Sequence, residues 1–224
     1  EHRHDPLPVP DVFRGRPPEV GLFAQRSGAV VVGDRVQGTR GAARIALPPG
    51  EYLLSAEVWV PDSARAGRVR EGLAWTGFPR DLPTLSDLFV ADAGGGQPDS
   101  LDALLGRLRL GRARPGEVVR VAWELHGFGY RRETLRYRLE IREAPGGVFR
   151  RMGRLLGLVG EGRALSLAWS EVGPEAPGPF LRSAEVAIPP DLDPGDYLVR
   201  VEVESPGRET LARERALTLL PPSR

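Results

Sequence analysis

The sequence predicts an all-β protein: two tandem antiparallel sandwiches of the immunoglobulin or fibronectin III kind, preceded by a proline-rich N-terminal arm. Three observations lead there. Apolar and charged residues alternate with a period of two in many short segments. Leu135, Tyr137, Leu139 and Ile141, for example, interleave with Arg136, Arg138, Glu140 and Arg142. That pattern gives a strand one buried face and one wet face. The 28 glycines and 22 prolines are spread along the 224 residues, as short strands joined by tight turns require. Finally, one turn-and-strand unit occurs twice.

That unit is Pro49-Gly50-Glu51-Tyr52-Leu53-Leu54-Ser55-Ala56-Glu57-Val58. It returns 145 residues later as Pro194-Gly195-Asp196-Tyr197-Leu198-Val199-Arg200-Val201-Glu202-Val203. Each copy follows an apolar-Pro-Pro segment, Leu47–Pro49 and Ile188–Pro190, and ends near a proline, Pro61 and Pro206. Pro-Gly favours a tight turn because proline presets φ and glycine adopts conformations that other residues resist. A tyrosine opening the next strand can bury its ring while its hydroxyl bonds the backbone near the turn, as in the tyrosine corner of immunoglobulin-like domains. Two copies predict two related sandwiches, with this unit as the penultimate strand of each.

Residues 1–28 carry prolines at 6, 8, 10, 17 and 18, which oppose helix and central strand, so they read as an extended arm. Strands are expected at Ala29–Val36, Ala42–Leu47, Tyr52–Val60, Val69–Trp75 and Ser86–Ala91, making residues 29–93 the first sandwich. Asp92-Ala-Gly-Gly-Gly-Gln-Pro-Asp99 is the strongest linker signal, and the domain boundary is expected across residues 94–100. Residues 101–224 form the second sandwich, with strands at Val118–Leu125, Leu135–Arg142, Ala164–Trp169, Leu181–Ile188, Tyr197–Glu204 and Leu211–Leu219. Leu101–Leu110 fits helix by its leucine spacing and strand by its end. Val148–Val159 reads as a short helix or a long loop with apolar anchors.

Composition excludes several function classes. A net charge of +1 gives no strong field for nucleic acid or anionic lipid. From Arg107 to Arg154, 13 arginines stand against 5 glutamates. This is either a basic patch or, the better reading, a solvated strand face paired with acids on neighbouring strands. All 31 basic residues are arginine, and asparagine is absent too. GC-rich coding accounts for both absences, and a hot environment would also favour them. With no cysteine there is no disulfide, thiolate metal site or cysteine nucleophile. No apolar run reaches the ~18 residues needed to span a bilayer. The chain starts at Glu1 and its single methionine is Met152, so a processed or excised product is expected, through removal of a signal peptide, which would mean export, or of an upstream domain.

Searching for chemistry yields little. His126 is the one histidine in the expected folded body. Glu124 shares its strand face, but two ligands are too few for a metal site. His2 and His4 form a His-x-His on the arm, read as incidental. No Gly-x-Ser-x-Gly elbow exists, and Ser166 and Ser170 flank Trp169 in an ordinary alternating strand. No carboxylate pair is singled out for glycoside hydrolysis. Gly94-Gly95-Gly96 lacks the Lys-Ser/Thr of a phosphate loop. No cofactor, metal or catalytic residue is expected.

A binding surface is the remaining reading, and the aromatics supply its residues. Trp123 and Trp169 alternate as core residues do. Trp59 shares parity with Leu53 and Ser55, which puts it opposite Leu54, Ala56 and Val58, exposed or against the neighbouring domain. Trp75, Phe78, Phe128 and Tyr130 lie in glycine-flanked loops, where sandwich folds often place function. Each could equally be a plug beneath its loop.

Four segments together resemble the C-terminal region of bacterial GWxTD-domain proteins: Pro49–Tyr52, Leu85-Ser86-Asp87-Leu88, Trp123-Glu124-Leu125-His126-Gly127 and Pro194–Tyr197. His126 replaces the more usual tyrosine, and the namesake helical segment is absent. The resemblance spans about residues 40–220 and implies an exported or envelope-associated bacterial protein with no catalytic residues to carry over. The expected function is a non-catalytic structural or protein-interaction module. Its partner would be another protein, including a second copy held through the arm or edge strands. Carbohydrate binding through the loop aromatics is the alternative.

Overall fold

The computed structural model describes residues 18–37, 45–61, 65–77, 82–144 and 165–221. Within them the chain is all-β, with several antiparallel sheets and one five-residue helix. It divides into two compact units, Glu1–Gly77 and Phe78–Arg224.

The first unit is a four-stranded antiparallel sheet ordered β2-β1-β3-β4, from β1 (Glu19–Arg26), β2 (Ala29–Gln37), β3 (Gly50–Val60) and β4 (Arg65–Trp75). Two expectations change here. Residues 19–26 are not part of an arm: they form a central strand paired with β2 on one side and β3 on the other. Two prolines precede this strand but none lies within it. Its Gly21 sits beneath the Phe23 ring, which also covers Gly33 on β2. Among the described residues the unit is also a single sheet, without the second layer expected of a sandwich. Residues 1–17 of the expected arm, residues 42–44 of the expected Ala42–Leu47 strand, and Phe78 all lie outside the described residues. Residues 45–47 are not strand.

The second unit is a sandwich. One sheet runs β10-β9-β12-β13-β7, from β7 (Arg112–Ala113), β9 (Thr134–Glu143), β10 (Leu165–Val172), β12 (Gly195–Glu204) and β13 (Leu211–Leu219). The other is built on β8 (Val118–His126), which pairs with β11 (Phe180–Ala187), β5 (Thr84–Leu85) and β6 (Phe89–Asp92). Val119, Val121, Trp123 and Leu125 of β8 share one buried cluster with Leu135, Tyr137, Leu139 and Ile141 of β9 and Tyr197, Val199, Val201 and Val203 of β12. The alternation thus buries one face of each strand and supplies the core. Val148–Val159 lies outside the described residues.

The boundary falls at Gly77/Phe78, not at 94–100. Residues 84–92 belong to the second unit because β5 and β6 pair with β8. The glycine run that resembles a linker is a loop tied to the sandwich. The Gly94 N–H donates to Glu185 at 2.9 Å, and the Gly94 carbonyl accepts from Arg107 and Arg120. Gly94, Gly95 and Gly96 have φ of +88°, +70° and +76°, so their freedom serves a tight winding rather than a hinge. The helix α1 (Leu101–Leu105) follows, capped by Ser100. It seats Leu104 in a second small cluster with Ala91 and Ala122.

The repeated unit adopts the same local structure twice. The Tyr52 hydroxyl donates to the Pro48 carbonyl at 2.7 Å, and the Tyr197 hydroxyl donates to the Asp193 carbonyl at 2.8 Å, four residues back in each case. Both rings are buried. The likeness extends through the sheet, because β2-β1-β3-β4 and β10-β9-β12-β13 have the same order and all their neighbours are antiparallel.

Candidate functional site

Three connections of the second unit meet at one end of the sandwich: residues 127–133, 173–179 and 205–210. The first begins Gly127-Phe128-Gly129-Tyr130. Gly127 and Gly129 have φ of +76° and +86°, and a Cβ on either would lie 2.3 Å from the Leu82 carbonyl oxygen or 2.2 Å from that of Ala176. Only glycine permits such an approach. The close packing settles which ring faces where. Phe128 is 1% exposed, a core side chain beneath the loop. Tyr130 is 54% exposed.

Under the loop lies a buried carboxylate. Glu133 accepts from the Ser205 hydroxyl and from Arg208 Nη2 at 3.1 Å, with Arg131 Nη2 at 3.5 Å. The Arg208 guanidinium lies 5.2 Å from the Phe128 ring centroid, a cation–π distance. These groups hold each other, and in them the Glu133 charge is matched by donors. Tyr130 stands above this frame between two shallow clefts. One, of about 380 Å³, runs towards Val172 and Glu175; the other, of about 490 Å³, runs towards Leu82, Gly207 and Leu211. The pair makes an open surface with one aromatic platform, suited to contact with a ligand or protein.

Of the remaining residues selected from the sequence, Trp59 and Trp75 belong to the first unit. Trp59, on β3, is 50% exposed on the first unit's sheet. Trp75 donates its indole N–H to the Leu47 carbonyl at 3.0 Å, tying the end of β4 to the segment before the repeat turn. Phe78 lies outside the described residues. Pro49, Gly50 and Tyr52, with Pro194, Gly195 and Tyr197, form the two structural turns.

His126 and Glu124 do share a face, with His126 Nε2 3.8 Å from a Glu124 oxygen. Burial holds the imidazole below its ordinary pKa, opposed by the Glu124 charge. Among the described residues, no group of three His, Cys, Asp or Glu side chains is placed to hold a metal. His2 and His4 lie outside the described residues.

Several arginines of the arginine-rich stretch are ion-paired, and Arg150, Arg151 and Arg154 lie outside the described residues. Arg109 binds Asp92 and Glu117, Arg120 binds Glu185, and Arg142 binds Glu214. Arg109 holds the Glu117 carboxyl below the usual carboxylate range, and Arg200 does the same for Glu214. Burial pushes the Tyr137 hydroxyl far up.

Sequence reasoning did not find the Glu133–Ser205–Arg208 cluster. Its members are separated by 72 and 75 residues, and no local pattern joins them.

No family model matches the chain, and no curated protein does. Solved structures with some likeness include the sporulation control protein Spo0M from Bacillus subtilis, at 11% identity and a TM-score of 0.33, covering 61% of this chain and 49% of that one. Another is the tetra-tandem repeat in the extending region of a large adhesion protein, at 11% identity and a TM-score of 0.31, covering 92% and 42%. A third is a Corynebacterium diphtheriae protein described as membrane anchored, at 15% identity and a TM-score of 0.29, covering 92% and 53%. The chain spans about half the length of these structures. Among its described residues, no helix is long and apolar enough to cross a membrane.

Proposed function

We propose that this chain is a non-catalytic structural and protein-interaction module of the bacterial envelope or exterior, self-associating, and built from two related immunoglobulin-like units. The observation that carries this reading is the fate of the buried polar groups in the second unit. Glu133 is held by Ser205, Arg208 and Arg131, and Arg120 is held by Ser183 and Glu185. The buried charges are answered inside the scaffold, so what the second unit offers a partner is its surface. The duplicated sheet supports the tandem relation, and the resemblance to GWxTD-domain proteins supports export. Sedimentation velocity and negative-stain imaging of the purified protein test the reading. Concentration-dependent oligomers or ordered polymers are expected, and a strictly monomeric protein at every concentration overturns it.

The second reading is carbohydrate binding, favoured by one observation: the exposed Tyr130 ring between two clefts. An exposed aromatic face can stack on a sugar ring. Affinity electrophoresis in polysaccharide gels tests it. Retardation lost in Tyr130→Ala supports the reading, and retardation equal in both proteins removes Tyr130 from it. Phe128 is no longer a candidate, because it is core.

A further inference from the structure

Among the described residues β10 is an unguarded sheet edge. Among the described residues nothing pairs with its outer side, and it is eight residues long without proline. Open edges invite strand addition, and proteins blunt them with charge, proline, bulges or brevity. The other edges here show such devices. β7 and β5 are two residues long and β6 is four. β4 carries Arg65, Arg68, Arg70 and Glu71, and β2 carries Asp34 and Arg35. β11 presents Glu185 and turns Arg182 towards Glu171. Only Glu171, near its end, charges β10. From Leu165 to Ser170 it has an exposed row of Ser166, Ala168 and Ser170 and a half-buried row of Leu165, Leu167 and Trp169.

The duplicated sheet supplies an internal control. Glu57 and Glu202 are equivalent in the repeat. Glu57 pairs with Gly21, which pairs with Arg35; Glu202 pairs with Arg138, which pairs with Ala168. Arg35 in the first copy therefore stands where Ala168 stands in the second. The charge that guards one edge is missing from the other.

We propose that β10 pairs antiparallel with β10 of a second copy of this chain, about a two-fold axis at Ala168; this deepens the self-associating reading and rests on it. Two-fold pairing requires a self-complementary strand, and the row Ser166, Ala168, Ser170 reads the same in both directions. Ser166 then faces the second copy's Ser170, Ala168 faces its counterpart, and Leu167 meets Trp169 on the half-buried side.

Charge is mixed across the seam: the central row sets Arg138 against the second copy's Arg138, while the two flanking rows set opposite charges. Arg136 lies beside Ser170 and Glu140 beside Ser166. In the joined sheet each Arg136 row therefore ends on the second copy's Glu140. The two residues are three strand spacings, about 14 Å, apart. The small residues between them leave a floor over which both long side chains can lean. A depression of about 330 Å³ over Ala168 and Ser170 already exists there. The mode is strand addition to an open edge.

Two variants of the full chain test the proposal. Ala168→Arg restores the guard of the first copy on an exposed position and sets like charges opposite each other. The fold should survive, with an unchanged circular dichroism spectrum, while sedimentation equilibrium gives self-association weaker by about ten-fold or more. Because the protein has no cysteine, Ala168→Cys is a clean reporter. Mild oxidation should yield a disulfide-linked dimer, and Val172→Cys should yield far less. Self-association unaltered in Ala168→Arg, or equal cross-linking at 168 and 172, overturns the edge while leaving the self-associating reading intact. A wild-type protein that never associates overturns both.

Discussion

Tyr52 and Tyr197 make the same hydrogen bond in two places, and each can be measured against the other. Removing either hydroxyl leaves a buried ring and one carbonyl without its donor, which costs about 1 kcal/mol. Tyr52→Phe and Tyr197→Phe should therefore lower stability by similar amounts in urea titrations; a loss at only one site would mean the two turns are not energetically equivalent. Gly129 is more severe. A Cβ there would lie 2.2 Å from a carbonyl oxygen with φ at +86°, so Gly129→Ala should destabilise by at least about 2 kcal/mol. Thermal unfolding reads this directly. The tyrosine units were legible in the sequence because turn, ring and bond lie within five residues. Phe128 and Tyr130 were not distinguishable, since Gly-Phe-Gly-Tyr contains nothing that says which ring is covered. The carbonyls of Leu82 and Ala176, distant in sequence, decide that.

Burial on β8 gives a pH signature. The folded chain resists protonation of His126 and the unfolded chain does not, so the imidazole contributes fully above its ordinary value of 6.5 and less as pH falls from there. Glu117 and Glu214, held low by Arg109 and Arg200, keep their contribution above 4.5 and lose it as pH falls through their folded values. His126→Gln should flatten the upper decline in melting temperature and leave the acid decline. A second element, the loop at 93–96, depends on the buried Arg120. Arg120→Met removes the guanidinium that reaches the Gly94 carbonyl and the Glu185 carboxylate, so amide exchange at Gly94 and Gly95 should quicken several-fold while β12 stays protected. Unchanged exchange at those glycines would show that Glu185 and Arg107 hold the loop without Arg120. The same glycines explain why the boundary was misplaced. A triglycine flanked by proline and acid matches a linker in composition, and only pairing of β5 and β6 with β8 reveals otherwise. β1 escaped notice because Pro17 and Pro18 precede it and Gly21 interrupts its pattern, whereas the Phe23 ring completes it in space.

At the level of the whole molecule, the two units differ in how much they bury. Apart from Pro18, the described residues of the first unit fully bury only Ala24, Tyr52 and Ser55, whereas the second holds a two-layer core around Trp123, Leu139 and Val201. Stability follows apolar burial. Backbone amides of β3 should exchange faster than those of β12 in the intact chain, although the two strands are related by the repeat. Equal protection would mean that residues beyond the described ones complete the first core. The all-β class was legible from alternation alone, since period two survives whatever the tertiary context. The single layer of the first unit was not, because a strand pattern records which face is apolar and not what covers it.

The shared strand order has a kinetic consequence. The hairpins β3–β4 and β12–β13 are related by the repeat, so competition between them for β9 is the expected misfolding route. Cross-strand charge separates them. β12 sets Arg200 opposite Glu140 and pairs it with Glu202 and Glu214, whereas the equivalent place on β3 holds Ser55. The wet face of β12 thus carries an ion-pair set that β3 lacks at Ser55, a difference by which the two hairpins can be told apart.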